Sequence, residues 1–362
     1  MKKTILAFTM LLSAGAAVKA QNQETIRNEE VRYHFFTNNI PSDWNYPLIG
    51  LVNNVEGNHA SFQIGLVNST SGNFGGIQVA GIVNSVGGNV IGLQSGFINS
   101  VGGNFRGIQS GFINSIGADF SGLQYGFINS VGDSFYGIQT GFLNSCTSVS
   151  GIQSGFINST QGSLKGIQCG FVNSAGEVRG LQYGFINSTK SLRGLQLGFI
   201  NSVDNLEKGL PIGFLSFVKH GGYKAIEVSY NNINPVNIAF KTGVRALYTY
   251  PMLAYDWRLA DDRLSFGYGI GSNLDLSNHL FVNPEMEWLH QVSLDFNHHS
   301  TLRFNLGYNV SENFEIVAGP SLIWQIKINA DDFHQKYTEW DPSIVAINKL
   351  KAGFNVALRY KF

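Results

Sequence analysis

The sequence predicts an all-β protein: a glycine-rich β-solenoid of ~15-residue repeats, then a small, about eight-stranded antiparallel β-barrel. Three observations carry that expectation. The phrase "GIQSGFINS" at 107–115 returns almost unchanged at a spacing near fifteen residues. After residue 222 the phrase is gone and two-residue alternation takes over. The composition also suits neither kind of helical protein. Charged residues are 13% of the chain, 43 glycines are present, and no later apolar run approaches the ~20 residues of a spanning helix.

The chain opens on "MKKTILAFTMLLSAGAAVKA", which has the parts of a secretory signal over residues 1–20. Lys2 and Lys3 precede an apolar run from Ile5 to Leu12, and small residues lead to a cleavage point before Gln21. That run is too short to cross a bilayer. Residues 21–47, with "VRYHFF" and Trp44, do not fit the repeat and are expected to cap its first coil, covering an open sheet edge.

The repeat occupies 48–217. Aligned on asparagine it recurs at Asn53, Asn68, Asn84, Asn99, Asn114, Asn129, Asn144, Asn158, Asn173, Asn187 and Asn201. A glutamine column accompanies it at Gln94, Gln109, Gln124, Gln139, Gln153, Gln168, Gln182 and Gln196. The terminal copies are worn, with Pro211 in place of Gln and Ser216 in place of Asn, as expected where a stack ends. Two glycines per unit and the lack of a 3.6-residue stripe argue against helix.

Read as one long membrane strand, each unit would place Gln on one face and Asn on the other. Neither face would then suit lipid, since burying an unpaired amide costs roughly 2–7 kcal/mol. Coils stacked about 4.8 Å apart instead lay each amide over its twin. About eleven coils then make a rod of roughly 50 Å. The glycines are expected to allow sharp corners and a close approach of the two walls. The alternative use of the amides is an exposed surface for a glycan or protein ligand.

Residues 223–362 carry the alternation. In "KAGFNVALRYKF", Ala352, Phe354, Val356, Leu358, Tyr360 and Phe362 point one way, and Lys351, Gly353, Asn355, Ala357, Arg359 and Lys361 the other. In "VNIAFKTGVRALYTY" the even positions from Val236 to Tyr250 share one face. Strands are expected near 225–231, 236–248, 250–259, 263–271, 279–292, 301–310, 314–328 and 351–362. Eight strands make a closed barrel filled by side chains. Tyr250, Trp257, Trp288 and Trp324 are candidates for interfacial girdles.

The alternating final strand, closing on Tyr360 and Phe362, resembles that of outer-membrane β-barrels. The resemblance implies a Gram-negative outer membrane, with its lipid and the barrel-assembly machinery as partners, and makes the terminal aromatics part of the assembly signal. Residues 48–217 resemble bacterial surface-repeat proteins built from Gly-Leu-Gln-x-Gly-Leu-x-Asn units, many of them lipoproteins. This chain lacks a lipobox cysteine, so the barrel would replace the lipid as anchor. An even strand count returns the chain to its starting side, which leaves the repeats periplasmic unless the count or the sidedness differs.

No catalytic set or cofactor is expected. His290, Ser293, Asp295, His298, His299 and Ser300 suit a polar loop, with a membrane-embedded hydrolase as the alternative. "ADD" at 260–262 and "NADDF" at 329–333 read as turns rather than calcium sites, and "GYGIG" at 267–271 as strand rather than phosphate loop. Cys146 and Cys169 sit at different repeat slots and form no framework. Equal numbers of basic and acidic residues, 24 each, give no electrostatic case for nucleic acid. A non-enzymatic anchored rod is the leading expectation, and one large barrel acting as a pore is the other alternative.

Overall fold

The computed structural model describes residues 34–231, 234–259, 263–292, 296–328 and 346–362, and they form two sheets. The first is a parallel β-solenoid of about 12 turns. In one coil, the strand Phe105–Ser110 pairs with Val90–Ser95 before it and Phe120–Tyr125 after it. Ile113–Ile116 pairs likewise with Ile98–Val101 and Ile128–Val131. Identical slots face one another, Gly107 to Gly122, Gln109 to Gln124 and Asn114 to Asn129.

The strand alternation of the sequence breaks at the corner Gly111–Phe112, which lies between the two strands. That change of phase turns both amides inward: Gln109 and Asn114 are fully buried, with Phe105 and Ile116. Stacked over the coils, the Phe105 and Ile116 slots become the two apolar columns of a narrow core. Parallel strands need a crossover, and here the crossover is the coil itself.

Two features differ from expectation. The solenoid starts earlier, because Thr37–Ile40 pairs in parallel with Val52–Val55 and so belongs to the stack rather than to a separate cap. The glycine constraint also runs along the stack rather than across the coil. Gly107 has φ 139°, and a Cβ there would lie 1.9 Å from the carbonyl oxygen of Gly92 in the preceding coil. Only glycine permits both that backbone and that approach.

The second sheet is a closed antiparallel barrel. Its eight strands are Tyr223–Asn231, Val236–Val244, Leu247–Tyr255, Leu264–Gly271, Leu280–Gln291, Phe296–Asn309, Phe314–Ile328 and Ala346–Lys361. Each pairs with the next, the fourth with the fifth across 272–279, and the eighth with the first.

One expected strand divides differently. The run read as continuous from 236 to 248 turns at Arg245–Ala246, where Val244 pairs with Leu247. A two-residue turn inverts the parity of alternation, so Tyr248 and Tyr250 face inward beside Lys241. Tyr250 is fully buried and is no girdle residue, whereas Trp257 and Trp288 are exposed.

Both barrel termini, the 245–246 hairpin and the turn at 311–313 lie at one end. The strands ending at Asn231, Tyr255, Gln291 and Ile328 do so at the other.

Candidate functional site

The solenoid interior is built on two amide columns. From Gln78 to Gln196 each glutamine donates its Nε2 to the Oε1 of the glutamine one coil earlier, the first to Gln63, at 2.6–2.8 Å. From Asn38 to Asn201 each asparagine donates its Nδ2 toward the next coil, at 2.8–3.0 Å between asparagines. The two chains of amides therefore run in opposite directions, and their aligned dipoles offset each other inside a low-dielectric rod.

A second amide proton fixes the orientation of the asparagines from Asn53 to Asn187 and of some glutamines. Asn114 Nδ2 also donates to the carbonyl of Tyr125, 2.7 Å away at the next corner, and Gln168 Nε2 donates to the carbonyl of Ser174. All eight glutamines from Gln94 to Gln196 and all eight asparagines from Asn99 to Asn201 stand in these columns and are buried. None presents a surface to a glycan.

The columns end differently. Asn38 Oδ1 accepts the backbone N–H of His34 at the start, and Asn201 donates to Ser216 Oγ at the finish. Pro211 offers nothing to Gln196, whose Oε1 has no partner among the described residues. A third, exposed ladder went unrecognised in sequence: Asn58, Asn73, Asn89 and Asn104 each accept the backbone N–H of the equivalent turn residue in the next coil. Its signal was the Asx closing "SGN", "GGN" and "GAD".

Cys146 fills an inner slot used by Val131 in the preceding coil, and burial pushes its thiol up to about 12. Cys169 stands in the outer variable slot. Both are free thiols.

The barrel lumen is filled by charge. Lys241 Nζ lies 2.5 Å from Glu285 and 3.1 Å from Glu227, while Arg359 reaches the same two carboxylates at 2.9 and 2.5 Å. Arg303 sits 2.7 Å from Glu287. All six side chains are at most 1% exposed. Tyr248 donates to Glu285 at 2.6 Å and Tyr250 to Glu287 at 3.0 Å, and the Lys241 ammonium lies 3.7 Å from the centre of the Tyr250 ring. At the terminal rim Glu315 receives Arg245, Lys361 and the Tyr223 hydroxyl.

Charges taken out of water hold only when paired and hydrogen-bonded; Lys241 and Arg359 meet that condition against Glu227 and Glu285, whereas Arg303 is paired with Glu287 by distance alone and makes no hydrogen bond among the described residues. The glycines of "GYGIG" make room for it: a Cβ on Gly269 would lie 2.2 Å from the ring of Tyr250.

The outer wall has the reverse character. Ile226, Val228, Ile238, Leu253, Phe266, Leu306, Ile316, Val356 and Leu358 are all at least 43% exposed, as are Tyr360 and Phe362 on the last strand. Three outward side chains are exceptions, because the solenoid's last coil covers them. The carbonyl of Gly213 accepts Thr249 Oγ1 at 2.8 Å and the Tyr268 hydroxyl at 2.9 Å. The backbone N–H of Ser216 donates to Thr242 Oγ1 at 3.2 Å. The wall thereby pairs backbone groups at an open sheet edge.

The outer surface of the rod has its own pattern. The corner slot holds Phe97, Phe112, Phe127, Phe142, Phe156, Phe171, Phe185, Phe199 and Phe214, stacked with ring centres 4.8–5.0 Å apart. Phe214 then stacks on Tyr268 of the barrel wall at 4.8 Å.

The histidine-rich set is only partly brought together. His290 and His298 are cross-strand partners with ring centres 4.7 Å apart, whereas Ser293 and Asp295 lie outside the described residues. So do the 260–262 and 329–333 acidic stretches and the signal at 1–20. Comparison with protein-family models, curated proteins and solved structures gives no match to this chain.

Proposed function

We propose that the chain is a non-enzymatic outer-membrane protein, in which the barrel is the anchor and the solenoid a rigid arm. The observation that supports this most strongly is the inverted partition of the barrel, with Lys241, Arg303 and Arg359 sealed inside and aliphatic and aromatic side chains outside. A water-soluble barrel has no reason to expose that wall, and lipid does.

Burying the amides against one another fits a rod that is rigid rather than one that reads a ligand through them. Tyr360 and Phe362, on the outward face of the last strand, suit a signal for barrel assembly. With eight strands both termini share one side, opposite the strand ends Ile328 and Ala346 that have the longest connection between them, and that side suits the periplasm, so the rod belongs there.

The test is fractionation of cells expressing the full chain, with gel mobility of heated and unheated samples. The reading expects the protein in the carbonate-resistant outer-membrane fraction, migrating differently before and after heating. Release into the soluble periplasm would overturn it.

A further inference from the structure

The arm is placed so that it cannot hang straight down from the barrel. Hydrogen bonds between coils run along the rod axis, so the outermost backbone groups of the last coil mark the direction in which the stack would continue. Those groups, at Gly213 and Ser216, are received by Thr242, Thr249 and Tyr268, all outward-facing on the barrel wall. The rod axis therefore meets the wall from the side. Residue 249 is three from the 245–246 hairpin, so the joint lies only ~10 Å above the terminal rim at the usual strand rise.

The corner column joins the wall slightly deeper. Tyr268 pairs opposite Pro251, two residues further from the rim than Thr249. From there the stacked rings run outward for roughly 40 Å. Each phenylalanine of the column from Phe97 to Phe199 exposes about two-fifths of its surface or more, as Phe112, Phe156 and Phe199 do at 43–45%. At about 200 Å² per ring this amounts to roughly 700 Å², more than monomeric soluble proteins normally leave in one patch. The slot four residues before each ring is apolar too, for example Ile108, Ile138 and Ile152 at 37–40% exposure. The next slot outward carries Arg106 and Lys165, whose charges suit phosphate headgroups, and Arg179 and Arg193, which pair with Glu177 and Glu207.

We propose that the arm lies in the interface of the bilayer that holds the barrel, its phenylalanine corner inserted among the acyl chains of the terminal-side leaflet. The occupant of the apolar column is lipid, and the barrel wall and the rod edge form one continuous lipid-facing surface. This rests on the barrel being membrane-embedded.

The test uses the full chain with Cys146→Val and Cys169→Ser, residues that other coils carry at those slots. Single cysteines at Phe156, at the exposed turn residue Gln161 and at Leu358 on the barrel wall are labelled with an environment-sensitive dye. The protein is reconstituted in phosphatidylethanolamine–phosphatidylglycerol nanodiscs, with brominated acyl chains or aqueous iodide as quencher.

The label at Phe156 is expected to lose at least half its emission to brominated lipid and to be several-fold less open to iodide than the label at Gln161. Equal access of iodide to both overturns the proposal. So does protection of Phe156 from both quenchers, which would mean that a second copy covers it. Quenching by lipid at Leu358 alone sinks this inference and spares the anchor; quenching at neither position sinks both. If Phe156→Cys disturbs the stack, Ile152→Cys in the flanking column gives the same readout.

Discussion

Replacing Asn129 by leucine interrupts the asparagine column at its middle. Four hydrogen bonds converge on this side chain: it accepts from Asn114 at 2.8 Å, donates to Asn144 Oδ1 and the Thr140 carbonyl, each at 2.9 Å, and reaches the Gly126 carbonyl at a long 3.4 Å. The Thr140 carbonyl keeps the backbone N–H of Gly126 at 3.1 Å, so it is not orphaned. Asn144 Oδ1 and one proton of Asn114 are, in fully dry surroundings. At ~1–3 kcal/mol for each orphan and about 1 kcal/mol for the remaining bond, the cost is on the order of 3 kcal/mol or somewhat more.

Hydrogen exchange on the full-length protein in detergent reads this locally. Amides of the flanking coils should lose protection by roughly a hundredfold, at about 1.4 kcal/mol per factor of ten, with barrel peptides unchanged. The adjacent double variant, Asn114→Leu with Asn129→Leu, should cost less than the two singles together, because the bond they share is lost once. Strict additivity, or a loss no larger than that of the outward Ser115→Ala, would refute the ladder as a coupled unit.

Four further outcomes are expected. Gly107→Ala places a methyl 1.9 Å from the Gly92 carbonyl at φ 139° and should cost at least ~3 kcal/mol, read as a local loss of exchange protection around 92–122. Lys241→Met leaves Glu227 and Glu285 short of a cation and should destabilise the barrel by ~3–5 kcal/mol, lowering the temperature at which the unheated gel band is lost. Planar-bilayer recordings of the intact chain should stay at baseline, because the lumen is filled; steady open steps would favour a pore.

His59 is held below its ordinary value of 6.5 chiefly by burial, so its neutral form belongs to the fold. The unfolded chain then binds the proton more readily, and stability is lost as pH falls through about 6.5. Exchange protection near residues 59–70, taken relative to the intrinsic rate at each pH, should fall from pH 7.5 to 5, and His59→Phe, the residue its neighbour Phe74 carries, should abolish that dependence.

What the sequence made legible follows from periodicity. The amide columns were readable because a repeated polar residue in a dry stack has no better partner than its copy. The partition of the last barrel strand was equally plain, since Asn355 and Arg359 alternate with Phe354, Val356 and Leu358 without interruption. Parity was lost wherever the backbone slips phase. The corner at Gly111–Phe112 brings Gln and Asn to the same side, and the two-residue turn at Arg245–Ala246 sends Tyr248 and Tyr250 inward; neither leaves a mark in an alternation pattern. The lumen network was invisible for another reason. Glu227, Lys241, Glu285 and Arg359 lie on four different strands, and only closure of the barrel brings them within 2.5–3.1 Å of one another.

The rod and the barrel solve one problem by the same route. A β-structure with an apolar exterior must satisfy its polar groups internally, and no water is available inside to help. The barrel does so with charges drawn from separate strands, which pair only after the sheet has closed. The rod does so with neutral amides whose partners are one coil away, so each added coil completes the one before it. Growth of that kind leaves an unsatisfied face at the last coil. The chain places the barrel wall against that face, and Thr242, Thr249 and Tyr268 supply the hydrogen bonds that a further coil would have made. Because those three side chains are correctly aligned only once the second, third and fourth barrel strands have paired, the end of the rod is completed by the pairing of those strands. Replacing Thr249 by valine and Tyr268 by phenylalanine together keeps the apolar contact and removes the hydrogen bonds to Gly213. If the wall is the rod's cap, protection should fall first in Leu210–His220 and then in progressively earlier coils, leaving the far end at Thr37 untouched.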